Sequence, residues 1–331
     1  MELYPFKFIP ILKEKIWGGH QLKTQLNKTK ATENCGESWE LSGIEGDISV
    51  VENGFLAGNN LSELIEIYMG DIVGEAVYEK FGTEFPLLFK YIDANDKLSI
   101  QVHPDDQLAK ERHKAFGKTE MWYIIDAQKE SEIITGFNTE LNKSTYLEHF
   151  RNKKLTNILN TEKVATGDAF FIPAGRIHAI GEGILLAEIQ QTSDITYRIY
   201  DWDRKDTNGQ ERELHTDLAV DAFDYKHYDQ YKIDYQSKNN DSVNLVDCNY
   251  FTTNLIELNK TIETDYTILD SFVVYMCVEG RLEVRLNNGT TEEIEKGETV
   301  LIPAIAELVT LIPKPSANIL EIYIKPDKIK L

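Results

Sequence analysis

Cysteine is scarce in this chain, and the few residues present stand apart. Cys35, Cys248 and Cys277 are odd in number and fit no C-x-x-C spacing. That speaks against a disulfide framework and against a thiolate zinc knuckle. Long apolar runs are missing as well, so no membrane-spanning helix is expected. The opening residues, MELYPFKFIP, lack a basic stretch ahead of an apolar core. No secretory leader is expected from them, and the cytoplasm is the default compartment. Positive charge is in deficit: 35 Lys and Arg stand against 55 Asp and Glu, a net charge of −20. Such a chain repels phosphate backbones, which disfavours a nucleic-acid partner. The deficit also sets a condition on any small anionic substrate. Its charge must be met by a local cluster of Lys and Arg, held against the overall field.

What is present reads as mostly β. The 331 residues are 42% hydrophobic, enough for a sizeable core and for one to three domains. Short alternating runs rich in Tyr, Phe, Val, Ile and Thr are punctuated by Gly, Asn and Asp. Examples are PLLFKYI at 86–92, LSIQVH at 98–103, MWYIIDA at 121–127, DAFFIP at 168–173, ILLAEIQ at 184–190 and FVVYMCVEG at 272–280. Helical character is expected near 61–78 and 144–160, and QSKNNDS at 236–242 is the best linker. GDAFFIPAGRIHAI at 167–180 is echoed by GETVLIPAIAELVT at 297–310. The echo predicts two similar β units, 1–235 and 243–331. The second copy carries Leu308 where the first has His178, so the second unit is expected to lack a metal site.

The chemistry gathers in the first unit. Along KLSIQVHPDD at 97–106, strand alternation puts Lys97, Ser99, Gln101 and His103 on one face. A solvated surface strand would show the same alternation, but Gln-x-His closed by Pro also suits a metal. Glu120 opens an apolar strand with Lys118 two residues earlier, and alone it reads equally well as a charged strand end in water. His178 follows a Pro-Ala-Gly turn, a place where a hydrogen-bonded core histidine is common. As a set, Gln, His, Glu and His from three strands make an N/O ligand group suited to zinc, manganese, iron or cobalt. Glu188 and Gln190 share a strand face. Arg198 sits among Tyr197, Ile199 and Tyr200, either salt-bridged to a neighbour such as Asp194 or Asp201 or aimed at an anion. Lys90 interrupts an apolar strand and must pair, snorkel or bind.

IWGG at 16–19, GESWEL at 36–41, QVHPDD at 101–106, KTEMWY at 118–123, IPAGRIHAI at 172–180 and EIQQTSDITYRIYDWDR at 188–204 occur in that order. Together they resemble the type I phosphomannose isomerases, in the shorter bacterial form, over roughly the first two thirds of the chain. The resemblance implies cupin-type jelly-roll barrels and one zinc ion per chain. It implies Gln101, His103, Glu120 and His178 as ligands and Arg198, Glu188 and Lys118 as catalytic residues. Trp17, Glu37, Lys90 and Ser99 would line the pocket. The implied reaction interconverts mannose 6-phosphate and fructose 6-phosphate through a cis-enediol, with Glu188 or Lys118 as base. Four protein ligands are many for a catalytic zinc, so weak binding by Gln101 or a higher coordination number is expected. The chain departs from the family in two ways. It is too short for the large helical domain of the long members, for which 144–160 would substitute. Gly117 also stands where some members have His. A metal dioxygenase and a non-catalytic sugar-binding cupin are the other classes weighed. The first needs no phosphate-binding cations and the second no intact ligand set.

Overall fold

The computed structural model describes residues 2–205 and 209–329. The fold is mainly β and of the cupin type, built from three antiparallel sheets. A six-stranded sheet runs in the order Ile11–Gly19, Cys35–Leu41, Leu87–Ala94, Ile184–Gln191, Glu120–Ala127, Ala169–Ile172. A five-stranded sheet runs Tyr197–Tyr200, Ile100–Val102, His178–Ile180, Glu132–Phe137, Leu159–Lys163. These two face each other. An eight-stranded sheet holds the C-terminal strands, led by the long pair Val273–Leu286 and Leu308–Tyr323, and takes in Phe6–Lys7 at one edge. Among the described residues no sheet closes on itself, so the expected barrels take the form of open sheets packed face to face.

The six-stranded sheet is the middle layer, which explains why its central strands are buried on both faces. In Leu87–Ala94, residues Leu87, Phe89 and Tyr91 join a core with Phe272, Val274, Met276 and Leu320 of the C-terminal sheet. Met121 and Tyr123 do the same from Glu120–Ala127, as do Leu185, Ala187 and Ile189 from Ile184–Gln191. Each Leu, Ile, Phe, Val or Met side chain among them contributes about 1.5–3 kcal/mol on burial. The alternate residues, among them Lys90, Glu120, Trp122 and Glu188, therefore point the other way, into the space shared with the five-stranded sheet.

The stretch expected to be helical over 61–78 is three short helices, Leu61–Tyr68, Gly70–Val73 and Glu75–Phe81. Asn60 and Glu63 form a reciprocal capping box at the start. The backbone leaves the helix at Met69 and Gly74, with φ of 47° and 95°. Around 144–160 the chain forms the helix Lys143–Arg151, a 3₁₀ turn Leu155–Ile158 and the strand Leu159–Lys163. The sequence echo has a structural counterpart. Gly167 and Gly297 both have φ of 90°, and each is followed by a four-residue strand, Ala169–Ile172 and Thr299–Ile302. The long C-terminal strand bends at a bulge around Gly280. Its φ is 75° and a Cβ there would lie 2.1 Å from the Ser316 carbonyl oxygen, so only glycine fits. No helix of the described residues is long and apolar enough to cross a membrane.

Candidate active site and metal centre

Directly opposed residues of antiparallel strands share a face. Across the five-stranded sheet, His178 opposes Gln101 and Gln101 opposes Arg198. Across the six-stranded sheet, Trp39 opposes Lys90, Lys90 opposes Glu188 and Glu188 opposes Trp122. The two rows bound one cavity of about 440 Å³. Trp17, Glu37, Lys90, Ser99, Gln101, Lys118, Glu188 and Arg198 all line it. His103, Glu120 and His178 are each 1% exposed. They adjoin the cavity through Gln101, 3.2 Å from His178, and Lys118, 3.2 Å from Glu120.

The buried trio has the character of a metal centre. Its ligand atoms lie within 4.8 Å of one another. His103 Nε2 is 3.3 Å from Glu120 Oε1, and His178 Nε2 is 3.7 Å from Glu120 Oε2. His103 Nδ1 lies 2.8 Å from the Ile195 carbonyl oxygen and His178 Nδ1 2.8 Å from that of Arg176. A carbonyl accepts only, so the ring proton of each histidine sits on Nδ1 and the Nε2 lone pair faces inward. Burial, reinforced by the Lys118 charge, pushes His103 down to about 3, and burial also lowers His178. Both rings are thus neutral donors near pH 7. Burial opposes ionisation of Glu120, but the Lys118 ammonium together with His103 and His178 outweighs it and holds the carboxyl well below its ordinary range. His103 Nε2 and both Glu120 oxygens are buried without any hydrogen-bond partner. Such a group would be costly unless something else fills the space between them, and a divalent cation fits the donors.

Beside this centre stands Glu188. Its Oε1 lies 3.0 Å from Lys90 Nζ, and its Oε2 accepts from Trp122 Nε1 at 2.9 Å. Burial first, then the Glu120 charge, raises its pKa against the pull of Lys90. Lys90 is paired, as an apolar strand requires, and it also donates to Gln190 Oε1 at 2.7 Å. Burial lowers the Lys90 pKa, but Glu188 and Glu37 together outweigh it and keep the ammonium charged. Glu37 accepts from Trp39 Nε1 at 2.7 Å and lies 3.1 Å from Lys15.

Arg198 differs from the other cations. Asp201, one of its candidate partners, is taken by Arg212, whose Nε lies 2.7 Å from Asp201 Oδ2. Arg198 Nη1 donates to the Glu213 carbonyl at 2.9 Å, and its Nε is buried without a partner. Among the described residues no carboxylate pairs with it.

Sequence reasoning missed Lys13, Lys15, Trp39 and Arg212 in the lining. A two-residue period counted back from Trp17 puts Lys15 and Lys13 on its face, so that signal was present. With them, the lining holds six cationic groups against four carboxylates. The local balance is positive inside a chain of net charge −20, which meets the condition set for an anionic substrate.

Comparison with known proteins agrees with this geometry. Residues 5–147 match the family described as phosphomannose isomerase type I, catalytic domain. The chain is 36% identical to a mannose-6-phosphate isomerase of Bacillus subtilis over 309 residues, covering 92% of this chain and 94% of that one. It is 34% identical to the enzyme of Streptococcus mutans over 297 residues, covering 88% and 90%. The crystal structure of a mannose 6-phosphate isomerase from Bacillus subtilis superposes with a TM-score of 0.86 at 33% identity, over 97% of this chain and all of that one, 100%. On sequence and fold together, the chain belongs to the type I phosphomannose isomerase family.

Proposed function

We propose that this protein interconverts mannose 6-phosphate and fructose 6-phosphate, through a cis-enediol, with one zinc ion per chain. One observation carries the reading. A buried His-Glu-His group with unpartnered donor atoms adjoins a cavity that also holds a carboxylate of raised pKa and an arginine without a carboxylate partner among the described residues. His103, Glu120 and His178 would hold the metal, with Gln101 as a weaker fourth ligand once its amide turns its oxygen toward His178. When bound, the ion supplies a Lewis acid that polarises the sugar oxygens at C1 and C2.

The chain's own residues do the rest. Glu188 takes the proton from the carbon next to the carbonyl and returns it to the neighbouring carbon. Its raised pKa makes it a stronger base than an exposed carboxylate, and Trp122 and Lys90 fix its orientation. Lys118 is the other base candidate, but its ammonium lies 3.2 Å from Glu120 and is better placed to hold that carboxylate ionised. Arg198, next to Gln101 on the sheet, places a permanent charge where the enediolate develops. Lys13, Lys15 and Arg212 supply the positive field for the phosphate, with Trp17 and Ser99 shaping the wall. Among the described residues, none beyond Arg212 lines the cavity. We therefore read 1–235 as the catalytic unit and 243–331 as a metal-free support for the middle sheet. We place the activity in the cytoplasm. The test is isomerisation of mannose 6-phosphate in deuterated water, followed by NMR. Deuterium should enter at C2 of the aldose and C1 of the ketose. Isomerisation with no solvent deuterium and no exchange under prolonged turnover would count against Glu188-mediated proton transfer.

A further inference from the structure

We propose that a second cavity, separate from the one at the metal centre, binds a small aromatic anion. The cavity measures about 760 Å³ and shares no lining residue with the first. It lies between the helices Glu75–Phe81 and Asp106–His113 and the C-terminal residues Tyr250, Ile324 and Lys328. Four lysines surround it: Lys80, Lys110, Lys114 and Lys328. Among the described residues, Lys80, Lys110 and Lys114 pair with no carboxylate, and Lys328 has only Asp247 at 3.9 Å. In a chain of net charge −20, four lysines gathered at one place, three of them without a carboxylate partner among the described residues, make a local excess of positive charge. The end of the helix Asp106–His113 favours cations and accounts for Lys110 and Lys114. It does not account for Lys80 and Lys328, which come from other elements.

The carboxylates in the lining, Asp106 and Glu84, offset only half of this charge. Asp106 is occupied, accepting from Gly117 N at 2.9 Å, Gln191 Nε2 at 2.9 Å and Tyr250 OH at 2.7 Å. That leaves Glu84 as the one other carboxylate of the lining. Between the lysines the wall is apolar. Phe81 and Phe116 meet edge to face with ring centroids 5.8 Å apart, and Leu87 and Ile324 also line the wall. Cations around a rim and aromatic rings within it select a ligand with a flat apolar body and a negative group. The proposal goes beyond the isomerase reading and does not depend on it.

The probe is 8-anilinonaphthalene-1-sulfonate, titrated by fluorescence into the whole protein. Binding should saturate near one equivalent per chain and be indifferent to mannose 6-phosphate. The double variant K110E/K114E and the single variant K80E should each fold as the parent does, since these lysines are exposed. Each should weaken the probe, the double variant by about tenfold or more, and neutral N-phenyl-1-naphthylamine should bind about tenfold more weakly than the sulfonate. No saturable binding, parental affinity in both variants, equal affinity for the neutral amine, or displacement by mannose 6-phosphate would each overturn the proposal.

Discussion

His103 and Glu120 reach one point from separate segments of the chain, with Nε2 and Oε1 3.3 Å apart, and neither atom makes a hydrogen bond. Burial strips both of water, and the backbone satisfies only the far side of the imidazole, through Ile195. Two buried acceptors facing each other repel unless a positive charge lies between them. Lys118 supplies part of that charge at 3.2 Å from Glu120, and a metal ion would supply the rest.

The first prediction follows from that arrangement. Purified protein should carry about one equivalent of divalent metal by elemental analysis. His178→Ala should lose both metal and activity while keeping its secondary structure. A variant with undiminished metal content would remove His178 from the ligand set.

Arg198 offers a sharper contrast. If it were only a structural cation, a folded Arg198→Ala protein would turn over normally. As a stabiliser of charge that exists only near the transition state, its loss should lower kcat by roughly 10²–10³-fold, with a smaller effect on KM. Lysine keeps the charge without the planar fork, so Arg198→Lys should recover part of the rate. Steady-state kinetics on variants with unchanged melting temperature and metal content would decide between the two.

Much of this site was legible because ligands close in sequence obey strand geometry. Gln101 and His103 lie two apart, and Lys118 and Glu120 lie two apart at a strand opening, so alternation alone groups each pair. His178 joined them as a candidate ligand from a third strand, and the catalytic role of Arg198 came through motif resemblance. The flanking registers His178 to Gln101 and Gln101 to Arg198 depend on packing between residues far apart in sequence, which no local pattern encodes. The same limit hid the partner of Phe6–Lys7, a strand of the C-terminal sheet. The helical character expected near 61–78 is present but broken into three helices for a local reason. Gly70 and Gly74 interrupt the apolar period, and the chain uses Met69 and Gly74 to turn. The pairing of Lys15 with Glu37 and of Arg212 with Asp201 was also out of reach, since charge type shows which residues can pair but not which do.

Glu37 sets a pH dependence. Burial alone would raise its pKa, but Lys90, Lys15 and the Trp39 indole hold it at about 2, below the ordinary 4.5. A carboxyl depressed by folding stabilises fully above its unfolded value and loses that stabilisation as pH falls through its folded value. The loss should therefore run between about pH 4.5 and pH 2 and amount to something on the order of 3 kcal/mol. Denaturant melts across that window should show the decline in the parent and a shallower one in Glu37→Gln. Equal slopes would mean that Glu37 is not held ionised by its neighbours.

Gly117 tests how tightly the approach to Glu120 is built. A Cβ at this position would lie 2.6 Å from the Asp105 carbonyl carbon and from Asp106 N, and the Gly117 amide donates to Asp106 at 2.9 Å. Gly117→Ala should therefore cost about 1–3 kcal/mol of stability by overpacking. It should also lower kcat, because Lys118 and Glu120 follow directly. A variant with parental melting temperature and rate would show that this turn yields freely.

If His103, Glu120 and His178 hold a metal that polarises the sugar, isomerisation requires that metal. The most direct measurement is a coupled assay of mannose 6-phosphate conversion on protein stripped by a chelator, with residual metal verified by elemental analysis, before and after zinc is restored. Activity should fall with the metal and return with about one equivalent of zinc. Full activity in protein shown to be free of metal would contradict that requirement.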